Sequence, residues 1–253
     1  MNNNPAVGLS YLFRGLRLLT KPGIRRFVLI PLTINIVLFS VLLYLMFLGF
    51  EWMSGELDAW LPDWLDWLRF LLWPIYVVSA MLIPVFSFVL IGNLISSPFN
   101  GLLAEAVERH LGGDSTPSQF SWQSMFAELA RSLRSELRKL VYTLARLLPI
   151  LVLLWIPGIN VIGSLLWVGF GAWLMAIQYA DYPMANHSLS FPEQRQLLAQ
   201  RRLLSLGFGG AIMLAMMVPI VNFVVMPASV AGATALWMDV YSKIERKPLA
   251  GQG

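Results

Sequence analysis

The chain contains no cysteine. That excludes a disulfide framework, a thiolate nucleophile and any cysteine-ligated metal, and it leaves the redox compartment undecided. Charge is scarce too: Asp, Glu, Lys and Arg make up 13% of 253 residues, about half the share in a soluble domain. The only two histidines, His110 and His187, lie outside the apolar runs and far apart in sequence, which leaves little from which to build a metal site or an intramembrane enzyme. No cleavable leader is evident, because the first apolar run follows a polar, basic lead-in without a cleavage site. What the chain has instead is apolar surface: 57% hydrophobic residues and a mean hydropathy of +0.67. Several uncharged stretches exceed the roughly 18 residues that mark a membrane helix. The expectation is an all-α integral membrane protein forming a single membrane domain over 1–253.

The net charge of +4 is modest, and its distribution carries the information. Basic residues gather at Arg14 to Arg26, Arg131 to Arg146, Arg195 to Arg202 and Lys243 to Lys247. Glu51 to Arg69 reverses the pattern, with Glu51, Glu56, Asp58, Asp63 and Asp66 against one arginine. The bias of lysine and arginine toward the cytoplasm places Glu51 to Arg69 outside and the basic regions inside.

In chain order, 6–20 predicts an interfacial amphipathic helix, with Leu9, Leu12, Phe13, Leu16 and Leu19 opposite Arg14 and Arg17. Residues 23–50 predict a first transmembrane helix in which Asn35 is a lone polar group. Trp52, Trp60, Trp64 and Trp67 then place the external segment at headgroup level. Residues 70–111 predict a second transmembrane helix, punctuated by Pro74, Pro84, Gly92 and Pro98, that extends into the cytoplasm with Glu105, Glu108 and Arg109. Residues 119–147 predict a basic amphipathic helix facing the membrane. The last two apolar stretches, 147–180 and 203–238, each begin and end at cytoplasmic flanks, and each is broken midway, at Pro157-Gly158-Ile159-Asn160 and at Pro219-Ile220-Val221-Asn222. Arms of about 15 residues give about 23 Å of helix, short of a core of about 30 Å. Two re-entrant helical hairpins are therefore expected, with tips buried in the assembly or lining a wet path.

The lip of the first transmembrane helix is the leading candidate site. Pro22 and Gly23 suit a turn or a first helical turn, and free N–H groups with the positive dipole end beside Arg25 and Arg26 make an anion site. The alternative is that both arginines snorkel to phosphate headgroups as anchors. Glu105 and Arg109, four residues apart, fit either a helix-surface pair or a polar network around a permeation path, to which Asn35 and Asn100 are further candidates. Asparagine at helix ends also serves to satisfy backbone groups. Asp181, Asn186 and His187 suit capping and loop ordering. No cofactor and no nucleic-acid partner is indicated.

Pro-Gly-Ile-Arg-Arg-Phe (22–27), Leu-Leu-Trp-Pro (71–74), Pro-Phe-Asn-Gly-Leu-Leu-Ala-Glu (98–105), Ala-Ile-Gln-Tyr-Ala-Asp-Tyr-Pro (176–183) with Asn186-His187, and Gly-Ala-Thr-Ala-Leu-Trp (232–237) with Asp239 and Tyr241 resemble the bacterial sulfate transporter CysZ family, nearly end to end and in order. The resemblance implies a non-enzymatic inner-membrane protein that takes up sulfate for assimilation into cysteine, as a permease or in channel-like fashion, without an ATPase subunit, and that forms homo-oligomers. It also implies two long transmembrane helices with two partly penetrating hairpins, and an anion site at Gly23, Ile24, Arg25 and Arg26. Two guanidinium forks match a tetrahedral dianion, and Lys21 to Phe27 contains no carboxylate to accept the proton that phosphate keeps. A non-transporting scaffold that shapes membrane is the remaining alternative.

Overall fold

Only a structure that satisfies its own backbone hydrogen bonds is stable in hydrocarbon, and among the described residues every regular element is helical. The computed structural model describes residues 3–60, 99–113 and 122–245, with isolated helical positions between 67 and 86. The chain divides into two compact units, one of Met1–Arg25 with Asn100–Gly253 and one of Arg26–Phe99.

In the Arg26–Phe99 unit, α2 runs unbroken over Arg26–Trp60, and its Arg26–Gly49 part is long and apolar enough to cross a membrane. The helix that carries the expected span of 23–50 begins later and runs on further, while its apolar part ends at Gly49. It cannot begin at Gly23, whose φ of +88° is left-handed, and it does not stop at the acidic segment, whose first ten residues continue the helix. The rest of that segment, and most of the 70–98 part of the second transmembrane helix expected over 70–111, lie outside the described residues.

The larger unit is organised around α1, Pro5–Leu19. Asn4 caps it by accepting the Ala6 N–H at 2.9 Å, and Pro5 occupies the first turn. Val7, Leu9 and Phe13 stand exposed, as an interfacial helix requires. The opposite face, Gly8, Tyr11, Leu12, Gly15, Leu18 and Leu19, is buried against α7 (Arg202–Met216) and α8 (Pro219–Leu236), so α1 is a core element as well. Contact there is backbone to backbone: a Cβ on Gly8 would sit 2.1 Å from the Leu204 carbonyl oxygen, and one on Gly15 2.0 Å from that of Ala228. Asn3 Oδ1 accepts the Leu204 N–H at 3.1 Å, capping the first turn of α7 from 201 residues away.

Helical residues 99–110 form α3. The α4 helix, Trp122–Trp155, is continuous through the boundary expected at 147. Its leucines Leu137, Leu140 and Leu144 are exposed, as expected for a membrane-facing stripe, while Lys139 is buried on the other side. A turn at 156–159, with Gly158 at φ +88°, leads into α5, Asn160–Asn186. Helix α6, Phe191–Gln200, begins with Pro192 in its first turn and the Glu193 carboxylate accepting the Ser190 N–H at 2.7 Å. After α8 come a π-helical turn, Trp237–Tyr241, and α9, Ser242–Glu245.

Helix-turn-helix pairs stand where the two hairpins are expected, α4 with α5 and α7 with α8, but their turns are not alike. Pro157 lies within the first turn, whereas Pro219 opens α8 and Asn222 is already helical, so the second turn precedes its proline. The arm length of about 15 residues holds for α7, with 15 residues, and fails for α5, whose 27 residues suffice to cross a bilayer. The first hairpin tip is exposed within the chain, with Trp155 at 86%.

Candidate functional site

The lip sequence is built from the end of α1 outward. The Lys21 N–H donates to the Leu18 carbonyl at 3.0 Å, and the Ile24 and Arg25 N–H groups both donate to the Lys21 carbonyl, at 3.2 and 3.3 Å. Gly23 supplies the positive φ that this turn needs, with nothing within 4 Å of where a Cβ would be. Ile24 is the buried pin, 2% exposed. Arg25 and Arg26 are exposed, and the Arg26 guanidinium lies 4.9 Å from the Phe27 ring centroid. The expected helix start at Gly23 would have left the Ile24 and Arg25 N–H groups free for an anion. Both are instead used to close the turn, so the donors the motif offers are chiefly the two guanidiniums.

A second concentration of polar groups joins α3 to α5. Asn100 Nδ2 donates to the Tyr182 hydroxyl at 3.2 Å, and Asn186 Nδ2 donates to the Gly101 carbonyl at 3.1 Å. His187 Nε2 lies 2.9 and 3.1 Å from the two carboxylate oxygens of Glu108, and its ring packs 5.1 Å from that of Trp237. Next to this seam, Lys139 holds the carboxylates of Asp181 and Glu136. Burial draws the Lys139 pKa down, but Asp181 and Glu136 outweigh it, leaving the ammonium with a raised pKa. Across the unit, Arg14 and the Tyr11 hydroxyl converge on Asp239 in the π-helical turn. Burial first, then the Asp239 charge, pushes the Tyr11 pKa up to about 12.

Of the residues expected along a path, Asn100 joins this seam, Glu105 is half-buried and Arg109 is exposed on the same helix, and Asn35 is half-buried on α2 in the other unit. Asp181, Asn186 and His187 do order the end of α5, and they do so by reaching α3 and α4. Glu108, expected only as a charge on the cytoplasmic extension of the second transmembrane helix, is 3% exposed. Its signal was available: it lies four residues after Ala104 and one after Val107, on the apolar face of α3, where an acid requires a partner.

Residues 11–227 match the family model described as Sulfate transporter CysZ/Etoposide-induced protein 2.4. A protein named Sulfate transporter CysZ from Pseudomonas aeruginosa (strain LESB58) is 44% identical over 231 residues, covering 91% of this chain and 94% of its own. Its namesake from Pseudomonas fluorescens (strain Pf0-1) is 45% identical over 231 residues, 91% of this chain and 92% of its own. That of Salmonella enteritidis PT4 (strain P125109) is 42% identical over 245 residues, 94% of each. With the family model spanning most of its length and relatives matched almost end to end, this all-helical membrane chain belongs to the Sulfate transporter CysZ/Etoposide-induced protein 2.4 family.

Proposed function

We propose that the protein carries sulfate across the bacterial inner membrane, as a permease or in channel-like fashion, supplying sulfate for assimilation into cysteine. The reading is supported by relatives named Sulfate transporter CysZ at 42 to 45% identity over more than nine-tenths of the chain. The anion is engaged at Gly23, Ile24, Arg25 and Arg26. What supports that assignment is a turn pinned by buried Ile24 that presents two successive arginines to solvent with no carboxylate in the motif. Glu105, Arg109, Asn35 and Asn100 are proposed to contribute to the polar path beyond it. The exposed apolar tip at 155–162 is proposed to complete its burial against a second copy in a homo-oligomer.

The test is radiolabelled sulfate flux into liposomes containing only the purified protein. Uptake well above protein-free liposomes is expected. In the Arg25→Ala, Arg26→Ala double variant, sulfate affinity by calorimetry should fall about ten- to a hundred-fold for each guanidinium whose bonds are lost, about 1.5 to 3 kcal/mol apiece. Lysine at both positions should restore only part of this. Absent flux from folded protein would leave the membrane-scaffold alternative standing, and unchanged affinity in the double variant would return these arginines to headgroup anchoring.

A further inference from the structure

The face shared by α4, α5 and α6 carries a cluster that the proposed transport site does not use. Tyr142 on α4 is fixed from several sides: the Trp173 Nε1–H of α5 donates to its hydroxyl oxygen at 2.9 Å, Phe191 of α6 meets it edge-on at 5.5 Å, and Phe170 lies 6.3 Å away. Against this one ring sit two guanidiniums, Arg146 at 4.2 Å and Arg195 at 5.0 Å from the centroid, delivered by α4 and α6. Their centres are thus no more than about 9 Å apart, close enough for like charges to repel at a protein surface.

The neighbouring acids are already engaged. Glu136 and Asp181 are held by Lys139, and Glu193 accepts from Ser190. Among the described residues no carboxylate pairs with Arg146 or Arg195, and the Tyr142 hydroxyl, having accepted from Trp173, has no acceptor for its own hydrogen. Two stacked forks and a phenolic O–H therefore form a donor-only group on a rigid ring. Stacking preorganises each guanidinium and leaves its N–H edge open, and the mutual repulsion is relieved by an anion that both can bind.

We propose that Arg146, Arg195 and the Tyr142 hydroxyl form a second oxyanion site, taking a tetrahedral sulfate or phosphate group, either as a free ion or as the headgroup of an anionic lipid. The site is independent of the lip motif and stands whether or not Arg25 and Arg26 bind sulfate. Its location on a basic, cytoplasmically assigned surface means that the group it meets is on the side to which the transported ion would be delivered.

The experiment begins from full-length Arg25→Ala, Arg26→Ala protein, purified in neutral detergent, so that the lip does not contribute. Sulfate and inorganic phosphate are measured by equilibrium dialysis, and copurifying phosphatidylglycerol is counted per chain by mass spectrometry. Adding Arg146→Gln and Arg195→Gln is expected either to weaken residual sulfate binding at least tenfold, which identifies the free ion, or to remove tightly held phosphatidylglycerol, which identifies the headgroup. Tyr142→Phe keeps the ring and both stacked arginines and should weaken the same ligand a few-fold. Should the glutamine variant fail to fold, Arg146→Lys with Arg195→Lys decides, since it keeps charge and loses the forks and is expected to lose most of the affinity. Ion and lipid retention that do not change in a folded variant would overturn the proposal, including the case in which only thermal stability falls.

Discussion

The Arg26–Gly49 part of α2 and the segment Val224–Glu245 are both long and apolar enough to cross a bilayer, yet 6% of an 18-residue stretch of the first is buried inside the protein and 72% of one in the second. Mean hydropathy runs the other way, 2.4 against 1.2. The outward helix is made of Leu, Ile, Val and Phe; the inward one contributes Ala228, Ser229, Ala231, Ala233, Thr234 and Ala235. In lipid a leucine gains nothing by leaving acyl chains for other leucines, whereas close backbone approach gains dispersion contacts along a whole helix face. Small side chains therefore recur along the buried segment, beside buried Val225, Val230, Leu236, Trp237 and Tyr241, while most of the large apolar residues of α2 are exposed. Ser229 and Thr234 fit that interior because each hydroxyl donates one turn back, to Val225 and Val230 at 2.6 and 2.8 Å.

Adding a methyl group to the packed side is the sharpest way to break the contrast. A Cβ on Gly209 would lie 1.8 Å from the Ala172 carbonyl oxygen, and one on Gly15 2.0 Å from that of Ala228, both backbone atoms that cannot turn aside. Gly209→Ala and Gly15→Ala should each cost about 3 kcal/mol or more, seen as loss of the monodisperse species in detergent or a large drop in thermal midpoint. A smaller effect, about 2 to 3 kcal/mol, is expected for Lys139→Ala, which strands the largely buried Asp181 carboxylate; the simultaneous Asp181→Ala change should recover part of it.

Smaller again is the response to alkali. Lys139 and Tyr11 both have folded pKa values raised above their ordinary 10.5 and 10.0. The stability they contribute is complete below those ordinary values and is lost as pH rises through the folded ones, about 12 for Tyr11. Thermal midpoints should hold level from neutral pH to about 9.5 and then decline, less steeply in Tyr11→Phe. The smallest change belongs to the open side: Gly49→Ala on α2 meets nothing within 4 Å and should be neutral or stabilising by up to about 1 kcal/mol. A cost there like that at Gly209 would sink the contrast between the two helices.

How much of this was legible in the sequence depends on how local the signal is. The break at Pro157-Gly158 and the leucine stripe of α4 are written in neighbouring residues, and the structure places them there. The start of α2 was misplaced because proline and glycine suit a first helical turn as well as a free-standing one, and the positive φ of Gly23 decided the matter. For the lip the residue types were legible, but not that two of its N–H groups would close the turn. The buried face of α1 was hidden for another reason. Its partners Leu204, Phe208, Ala228 and Asp239 are about two hundred residues away, and Gly8 and Gly15 look like weak helix formers until their neighbours are known.

That distance sets a timetable for assembly in the cell. A ribosome adding about 5 to 20 residues per second finishes α1 roughly 10 to 45 seconds before Leu204 and Asp239 exist to receive it. The helix has an interim host, since exposed Leu9 and Phe13 with Arg14 and Arg17 on its flanks suit the membrane surface on which it emerges. Its glycine face stays uncommitted until the last helices are inserted. Helix α1 is thus a latch that closes only once α7 and α8 exist, and a nascent chain arrested before α7 should hold α1 parked on lipid and open to proteases.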